Sequence, residues 1–364
     1  MLNEHIIIAR KIQITIDSSD KEERSKHYQQ LFAWQDLVYR GSNLVLTHQY
    51  IQENIKELIY LQDDVRVRLA DASQDELGIF NTSRINTTYR VLSNYFKGNI
   101  PSDILSNLNM ALTKTFNTDR AAYWKGEKSL RNFKKDMPIP FSAKQIKIHT
   151  KENSKDFAIS LFKIPFRTYL GKDRSDKRAL LQRVIMGKIK VCASSIKLIK
   201  GKIFLLLTLE IPRKTYNLNK KVVAEASLSA AFPIAVTVEN KPFIIGSKEE
   251  FVYRRKAIQA ARQRIQLATD FNKGGKGKKK KVKSMERYNE KERNYIDSRL
   301  HLYSRRLIDI CVKTKAGTLL LANPVSEKES AEEPSFLLRS WNYYGFIEKI
   351  KYKAKMVGIV VIVE

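Results

Sequence analysis

Seven lysines stand within eleven residues, at Lys273, Lys276, Lys278, Lys279, Lys280, Lys281 and Lys283, with glycines among them. Such a run is a solvated charge cluster when free and a clamp on phosphates when a polyanion is present. Its glycines allow the backbone to come close to a ligand. Upstream, "VYRRKAIQAARQRIQ" carries Arg254, Arg255, Lys256, Arg262 and Arg264 beside the apolar positions Ile258, Ala261 and Ile265. That spacing predicts a helix with one basic face, for which phosphate neutralisation is the simplest chemistry. An ordinary surface helix, whose arginines need no partner, is the competing reading. The other reactive residue types form no constellation. His5, His27, His48, His149 and His301 are scattered, and Cys192 and Cys311 are isolated. No CxxC pair exists, so neither a cysteine zinc site within the chain nor a disulfide framework is expected.

The whole chain shares this basic character. Its 364 residues carry a net charge of +29, with 43% hydrophobic and 10% aromatic residues. That composition argues for folded domains, and the charge calls for a polyanionic partner. A membrane surface fits poorly, because the basic residues run along the chain instead of forming one tail. No apolar run approaches the ~20 residues of a membrane span, and the start shows no cleavage motif. A cytoplasmic protein without membrane contact is expected.

The elements that must position these residues fall into three stretches. Residues 6–16 read as a strand, and "SSDKEE" offers a capped start to a helical stretch that runs to about Phe116. Gly98 and Pro101 interrupt it, with Ser102 or Asp103 able to cap the helix that resumes there. Past Gly126, Pro138 and Pro140 bar a long helix. "QIKIHT", "DFAISLF", "KIKVCASSIKLIK" and "KIFLLLTLEI" then read as short strands of an antiparallel or barrel-like module, flanked by the charged turns "GKDRSDKR" and "IPRKTYNLNKK". From Val222 the grammar changes again. A hairpin of strands 222–238 and 242–246 leads into the basic helix, the lysine loop and a second long helix, and then strand "GTLLLANP", helix "SFLLRSWNYYGFIEKIKYKAKMVG" and strand "IVVIVE". Alternation of this kind indicates an α/β layer with a central sheet.

That order resembles an RNase H-like nuclease core, and the residues from about Ser129 onward resemble the TnpB family, transposon-encoded RNA-guided DNA nucleases related to type V CRISPR effectors. "KSLRNFKKDMPIPF" is similar to the family's entry to its wedge domain, and "YRRKAIQAARQRIQ" to its bridging helix. Asn294, His301 and Ser304 match an "N…H..S" helix. Trp341, Phe346, Tyr352, Lys353, Ala354 and Gly358 match a "W..F...L.YKA...G..VV.V" segment. The resemblance implies a multidomain α+β chain. Residues 1–17 would be the first strand of a wedge domain, 18–125 a helical recognition domain, and 126–221 a β-barrel-like wedge domain. Residues 222–364 would form a truncated RuvC-type α/β domain without zinc finger, its basic loop at 272–283.

The same resemblance locates the family's catalytic acids. Its first strand reads G-I-D-L-G, which falls on Glu225–Ser229 and puts Ser227 at the aspartate position. Its "IVVED" strand falls on "LLLAN", putting Ala322 at the glutamate position, and its third acid lies beyond Glu364. A pair of divalent ions about 4 Å apart needs several carboxylates. Serine and alanine supply none, so no catalytic metal and no zinc are expected, and no enzyme activity. Glu225, Glu327, Glu329 and Glu364 are the nearby alternatives, but no spacing brings three of them together.

The implied partners are a guide RNA, one protein per guide, and double-stranded target DNA read by base pairing beside a short adjacent motif. For that motif the resemblance points to Ser106, Asn107 and Ser129, with Arg131, Lys134 and Lys135 as further nucleic-acid contacts. The implied function is that of the nuclease-dead TnpB-like repressors, transcriptional roadblocks on the bacterial nucleoid. The alternatives are an active guided endonuclease with relocated carboxylates, or a decayed transposon protein with general RNA binding.

Overall fold

A computed structural model of the chain describes residues 5–59, 84–150, 156–171, 175–213, 216–227, 233–247, 249–270, 275–322 and 343–363. Two units divide it, Met1–Pro212 and Arg213–Glu364. No described helix is long and apolar enough to cross a membrane.

In the first unit, β1 (His5–Ile16) buries Ile8, Ile12, Ile14 and Ile16 on one face, while Ile7 and Ala9 are exposed on the other. The helices α1 (Lys21–Ile59), α2 (Arg84–Phe96) and α3 (Ser102–Trp124) follow. Asp20 caps α1, its carboxylate accepting from the backbone of Glu22 at 3.0 Å and Glu23 at 3.2 Å. Gly41 marks where α1 meets its neighbours most closely; a Cβ there would lie 3.2 Å from both Leu92 and Leu108. The expected cap at Ser102 or Asp103 does not form, because Pro101 occupies the N-cap. The Asp103 carboxylate instead accepts from the Ser142 backbone at 2.9 Å and hydroxyl at 2.6 Å, tying α3 to the strands.

Those strands are β2 (Ile139–Phe141), β3 (Ile146–Thr150), β4 (Phe157–Leu161), β5 (Ile164–Thr168), β6 (Lys190–Val191), β7 (Ser194–Ile199) and β8 (Lys202–Pro212). They pair antiparallel in the order β2-β7-β8-β1-β5-β4-β3, with β6 on β8. The N-terminal strand therefore lies inside the sheet, registered from His5 opposite Pro212 to Ile14 opposite Ile203. The "GKDRSDKR" turn is corrected in part. Its end runs into a helix, α4 (Lys177–Ile185), which buries Leu180 and Leu181.

The second unit holds β9 (Asn219–Ser227), β10 (Ile234–Val238), β11 (Lys241–Ile245), β12 (Ala316–Leu321) and β13 (Val360–Val363) in the order β11-β10-β9-β12-β13. The first three pair antiparallel, whereas β12 lies parallel to β9, and β13 parallel to β12. Expected as one strand, 222–238 is two: β9 ends at Ser227, and β10 begins after Pro233 and pairs antiparallel with β9. A proline inside a strand would remove a ladder donor. Helices α5 (Arg254–Asp270), α6 (Gly275–Lys313) and α7 (Tyr343–Val357) complete the unit. Leu300, Tyr303, Leu307 and Cys311 of α6, with Phe346, Ile350 and Ala354 of α7, bury Ala224, Ala226, Val236, Leu319 and Leu321 of the sheet. Gly317 permits the irregular β12–β9 register, because a Cβ there would stand 2.8 Å from the Asn219 carbonyl.

The glycine–lysine loop is also corrected. Helix α6 begins at Gly275, so residues 276–283 are helical backbone. Lysine is a good helix former, and a few glycines at the start of a 39-residue helix cost little against it.

Candidate nucleic-acid interface

The parallel pairing of β9 and β12 brings together Ser227 and Ala322, the two positions at which the resemblance implies acids. Leu320 lies opposite Glu225 and Leu321 opposite Ala226, and the Ala322 N–H donates to the Ala226 carbonyl at 3.0 Å. Ser227 and Ala322 thus follow one another's register at the carboxyl ends of adjacent parallel strands, where open sheets place their ligands. On the other side of β12, Leu321 pairs with Val363. Ser227 is exposed and Ala322 half-buried. Glu225 is exposed too, two residues back on the Ser227 face. Among the described residues, no three of His, Cys, Asp and Glu gather where they could hold a metal ion. Ser229, Glu327, Glu329, Trp341 and Glu364 lie outside the described residues.

The basic helix splits into two sets. Arg254, Lys256 and Arg264 are exposed on α5. Arg255 does not share their face and is 0% exposed. Its guanidinium lies 3.4 Å from Glu292 of α6, whose carboxylate also accepts from Gln259 at 2.9 Å. Burial pushes the Arg255 guanidinium down, and Glu292 acts in the opposite sense. Arg262 also turns toward α6, donating to Asn289 at 3.0 Å and standing 3.9 Å from Glu292. These two arginines are corrections to the single basic face: α6 packs along α5, and residues three and seven positions apart on a helix share the side it covers. A cavity of about 580 Å3 opens between the helices beside them, with Arg293 and Asp297 also in its wall. On α6, Lys280 and Lys283 are exposed, Lys276, Lys278, Lys279 and Lys281 belong to the helical run, and Lys273 lies outside the described residues.

In the first unit, Arg131 has a carboxylate partner. It donates to the buried Asp119 carboxylate at 2.9 and 2.6 Å, and Lys128 reaches the other oxygen at 2.8 Å. Lys128 and Arg131 hold that carboxyl below the usual carboxylate range. Arg131 therefore fastens the chain to α3, which sequence spacing of twelve residues does not reveal. Asn107 donates to the Asp103 carbonyl at 2.7 Å and, like Ser106, is half-buried; Ser129, Lys134 and Lys135 are exposed.

Helices α6 and α7 join residues that the sequence had named separately. Lys353 donates to Ser304 Oγ at 2.7 Å and to the His301 carbonyl at 2.5 Å. Ser304 is fully buried. Burial, with Arg305 and Lys349 nearby, brings Lys353 down to about 8. A further group went unnoticed in the sequence: Lys144, Lys147 and Lys163 share one cavity of the first unit. They come from three separate elements, and only the non-glycine turn "FK" between two apolar runs hinted at them.

The fold defines the class first: a mixed α/β chain built like the Cas12f1 effector. It superposes on a Cas12f1 chain in complex with sgRNA and target DNA with a TM-score of 0.70 and 15% identity, covering 99% of this chain and 89% of that one. The sequence is similar to the CRISPR-associated endodeoxyribonuclease Cas12f1 of Sulfoacidibacillus thermotolerans, 25% identical over a gapped match of 283 residues that covers 71% of this chain and 65% of the relative. It is also 34% identical over 116 residues to the Cas12f1 endodeoxyribonuclease of Syntrophomonas palmitatica, or 31% of this chain and 23% of that protein. The chain thus spans less than two thirds of the length of these curated relatives. No protein-family model matches it.

Proposed function

We propose that the chain is an RNA-guided DNA-binding protein of the TnpB and Cas12f kind that does not cut its target and represses transcription by occupying it. Its second unit is read as an RNase H-like domain with a degenerate site. One observation carries this reading: the Ala322 N–H to Ala226 carbonyl bond of 3.0 Å, which sets Ser227 beside Ala322 at the strand ends where the resemblance puts two metal-binding acids. A hydroxyl and a methyl offer no anionic charge to divalent ions. The net charge of +29, the exposed Arg254, Lys256 and Arg264, and the relatives' guide RNA and DNA complex support binding of nucleic acid. Base pairing would then read the sequence, and the protein the backbone and a short neighbouring motif.

The test is to purify the full chain from its host and sequence the RNA that accompanies it. One RNA species of defined ends is expected. With that RNA, a complementary duplex should be retained in the presence of magnesium and remain uncut, and a promoter carrying the target should be silenced. A guide-dependent cleavage product would replace this reading with that of an active nuclease. Absence of any defined RNA would leave a general nucleic-acid binder.

A further inference from the structure

Lys353 of α7 meets two uncharged acceptors of α6 and, among the described residues, no carboxylate partner. Its Nζ donates to Ser304 Oγ at 2.7 Å and to the His301 carbonyl at 2.5 Å. The carboxylates nearby are engaged elsewhere: Asp297 pairs with Lys349 at 2.9 Å, and Asp309 with Arg305 at 3.0 Å. Arg305 of α6 and Lys349, one turn before Lys353 on α7, are the cations whose charge acts on this amine. The His301 ring is exposed and stands 3.7 Å from Asp297.

A serine–lysine pair at hydrogen-bond distance is one arrangement that hydrolyses acyl groups. Ser304 does not serve that end. It has no exposure to solvent, and its hydroxyl donates to the Leu300 carbonyl at 2.6 Å. A substrate has no approach to that oxygen. The reactive atom of the pair is the nitrogen. A neutral amine has two N–H bonds, and the two acceptors use both. The lone pair is left on the side away from them, and Lys353 is only half-buried. Burial and the two cations favour this neutral form.

Size and charge select what such an amine would take. The electrophile must be small, because the site is half closed. Its adduct should be an anion, because Arg305 and Lys349 act on the position. Carbon dioxide meets both conditions, whereas an acyl donor would leave a neutral amide that gains nothing from the cations. Residues 349 and 353 are i and i+4 on one helix, so two ammonium groups there repel and an ammonium beside a carbamate attracts.

We propose that Lys353 is a modification site, at which the amine adds carbon dioxide and forms a carbamate held by Arg305 and Lys349. The nitrogen lone pair forms the N–C bond, one C–O π pair moves onto oxygen, and one N–H proton passes to solvent. The remaining N–H stays on the His301 carbonyl, and Ser304 keeps its bond to Leu300. No oxidant or further reactant is required. The site depends neither on nucleic-acid binding nor on the absence of cleavage, so its failure leaves the proposed function standing.

The experiment uses the full wild-type chain, equilibrated with isotopically labelled bicarbonate and carbon dioxide near pH 8. Carbamates are trapped with a trialkyloxonium salt, and the digested chain is mapped by mass spectrometry. Lys353 should carry at least about tenfold more label than Lys351 and Lys355, its exposed neighbours on α7, because an ordinary lysine is almost wholly protonated at this pH. The label on Lys353 should fall severalfold near pH 6.5, where its amine is protonated too. Arg305→Gln/Lys349→Gln should reduce it by about threefold or more, since the cations favour both the neutral amine and the anionic adduct. No label on Lys353, or label shared equally with Lys351 and Lys355, would overturn the site without recourse to any variant. Full label in the double variant would overturn the role of the two cations.

Discussion

Lys353 of α7 donates a 2.7 Å hydrogen bond to Ser304 of α6, a hydroxyl with no exposure to solvent. Burial is the main reason that this ammonium titrates at about 8, with Arg305 and Lys349 adding to it and Asp309 opposing. An unfolded lysine titrates near ~10.4. Between these values the unfolded chain holds a proton that the folded chain has released, so this group's contribution to stability rises with pH across the window. Below it the burden of the buried charge is fully present.

The first prediction follows from that sign. Relative to wild type, Lys353→Met should be most stable near pH 7.5 and lose ground steadily toward pH 10, as urea midpoints would show. The comparison must be made against wild type at each pH. Cys311, whose thiol burial pushes up to about 12, gives a term of opposite sign above about pH 8.5. Ser304→Ala removes the acceptor and should cost about 1–3 kcal/mol. An unchanged pH profile in Lys353→Met would show that the ammonium is not buried in solution.

Adjacent strand ends make the second prediction. Ser227→Asp with Ala322→Glu would set two carboxylates side by side, since Ala322 is bonded to the Ala226 carbonyl. In chelator the pair should lower the melting temperature by like-charge repulsion, and millimolar magnesium or manganese should restore it. Wild type should respond to neither. Two acids form only part of a two-ion cage, so guide-dependent cutting is not expected to appear. Metal-independent melting of the double variant would show that the two positions do not converge.

The two sets of arginines on α5 should separate in a third measurement. Arg254→Gln, Lys256→Gln and Arg264→Gln alter exposed residues and should change stability by less than about 0.5 kcal/mol. Each should reduce the salt slope of nucleic-acid binding by up to about 0.9. Glu292→Gln instead weakens the partner of a fully buried guanidinium and should destabilise the fold by about 3 kcal/mol. Equal stability losses in both sets would contradict the buried position of Arg255.

Gly317 supplies a fourth. A methyl group at this position would stand 2.8 Å from the backbone of Asn219. Gly317→Ala should therefore cost about 1–3 kcal/mol through displacement of β12 from β9. Hydrogen exchange at Leu319 to Ala322 should rise with it. Full protection there would mean that the two strands tolerate the methyl group.

Much of the local structure was legible from residue patterns. Alternation along "HIIIARKIQITI" identified β1, and the i, i+3, i+4 spacing of "YRRKAIQAARQRIQ" identified α5. The misreadings share a cause. The lysine run looked like a loop because its glycines and charge are typical of loops, yet continuous helix propagates through it into α6. The end of a charged turn proved to be the first residues of α4, whose Leu180 and Leu181 find a buried face only after the strands have assembled.

What the sequence by itself determined is chemical inventory and local period: a strongly basic chain, strands and helices in a given order, and a serine and an alanine where the resemblance implies acids. These depend on composition and on neighbours a few residues apart. Only the tertiary structure decided which residues meet. It paired β1 with β8 across nearly the whole first unit, set Ser227 beside Ala322, turned Arg255 toward Glu292, and gathered Lys144, Lys147 and Lys163 around one cavity. The physical reason is that strand register and helix packing are chosen by burial summed over the whole core. A side chain's partner is therefore a property of that sum and not of its own position in the chain.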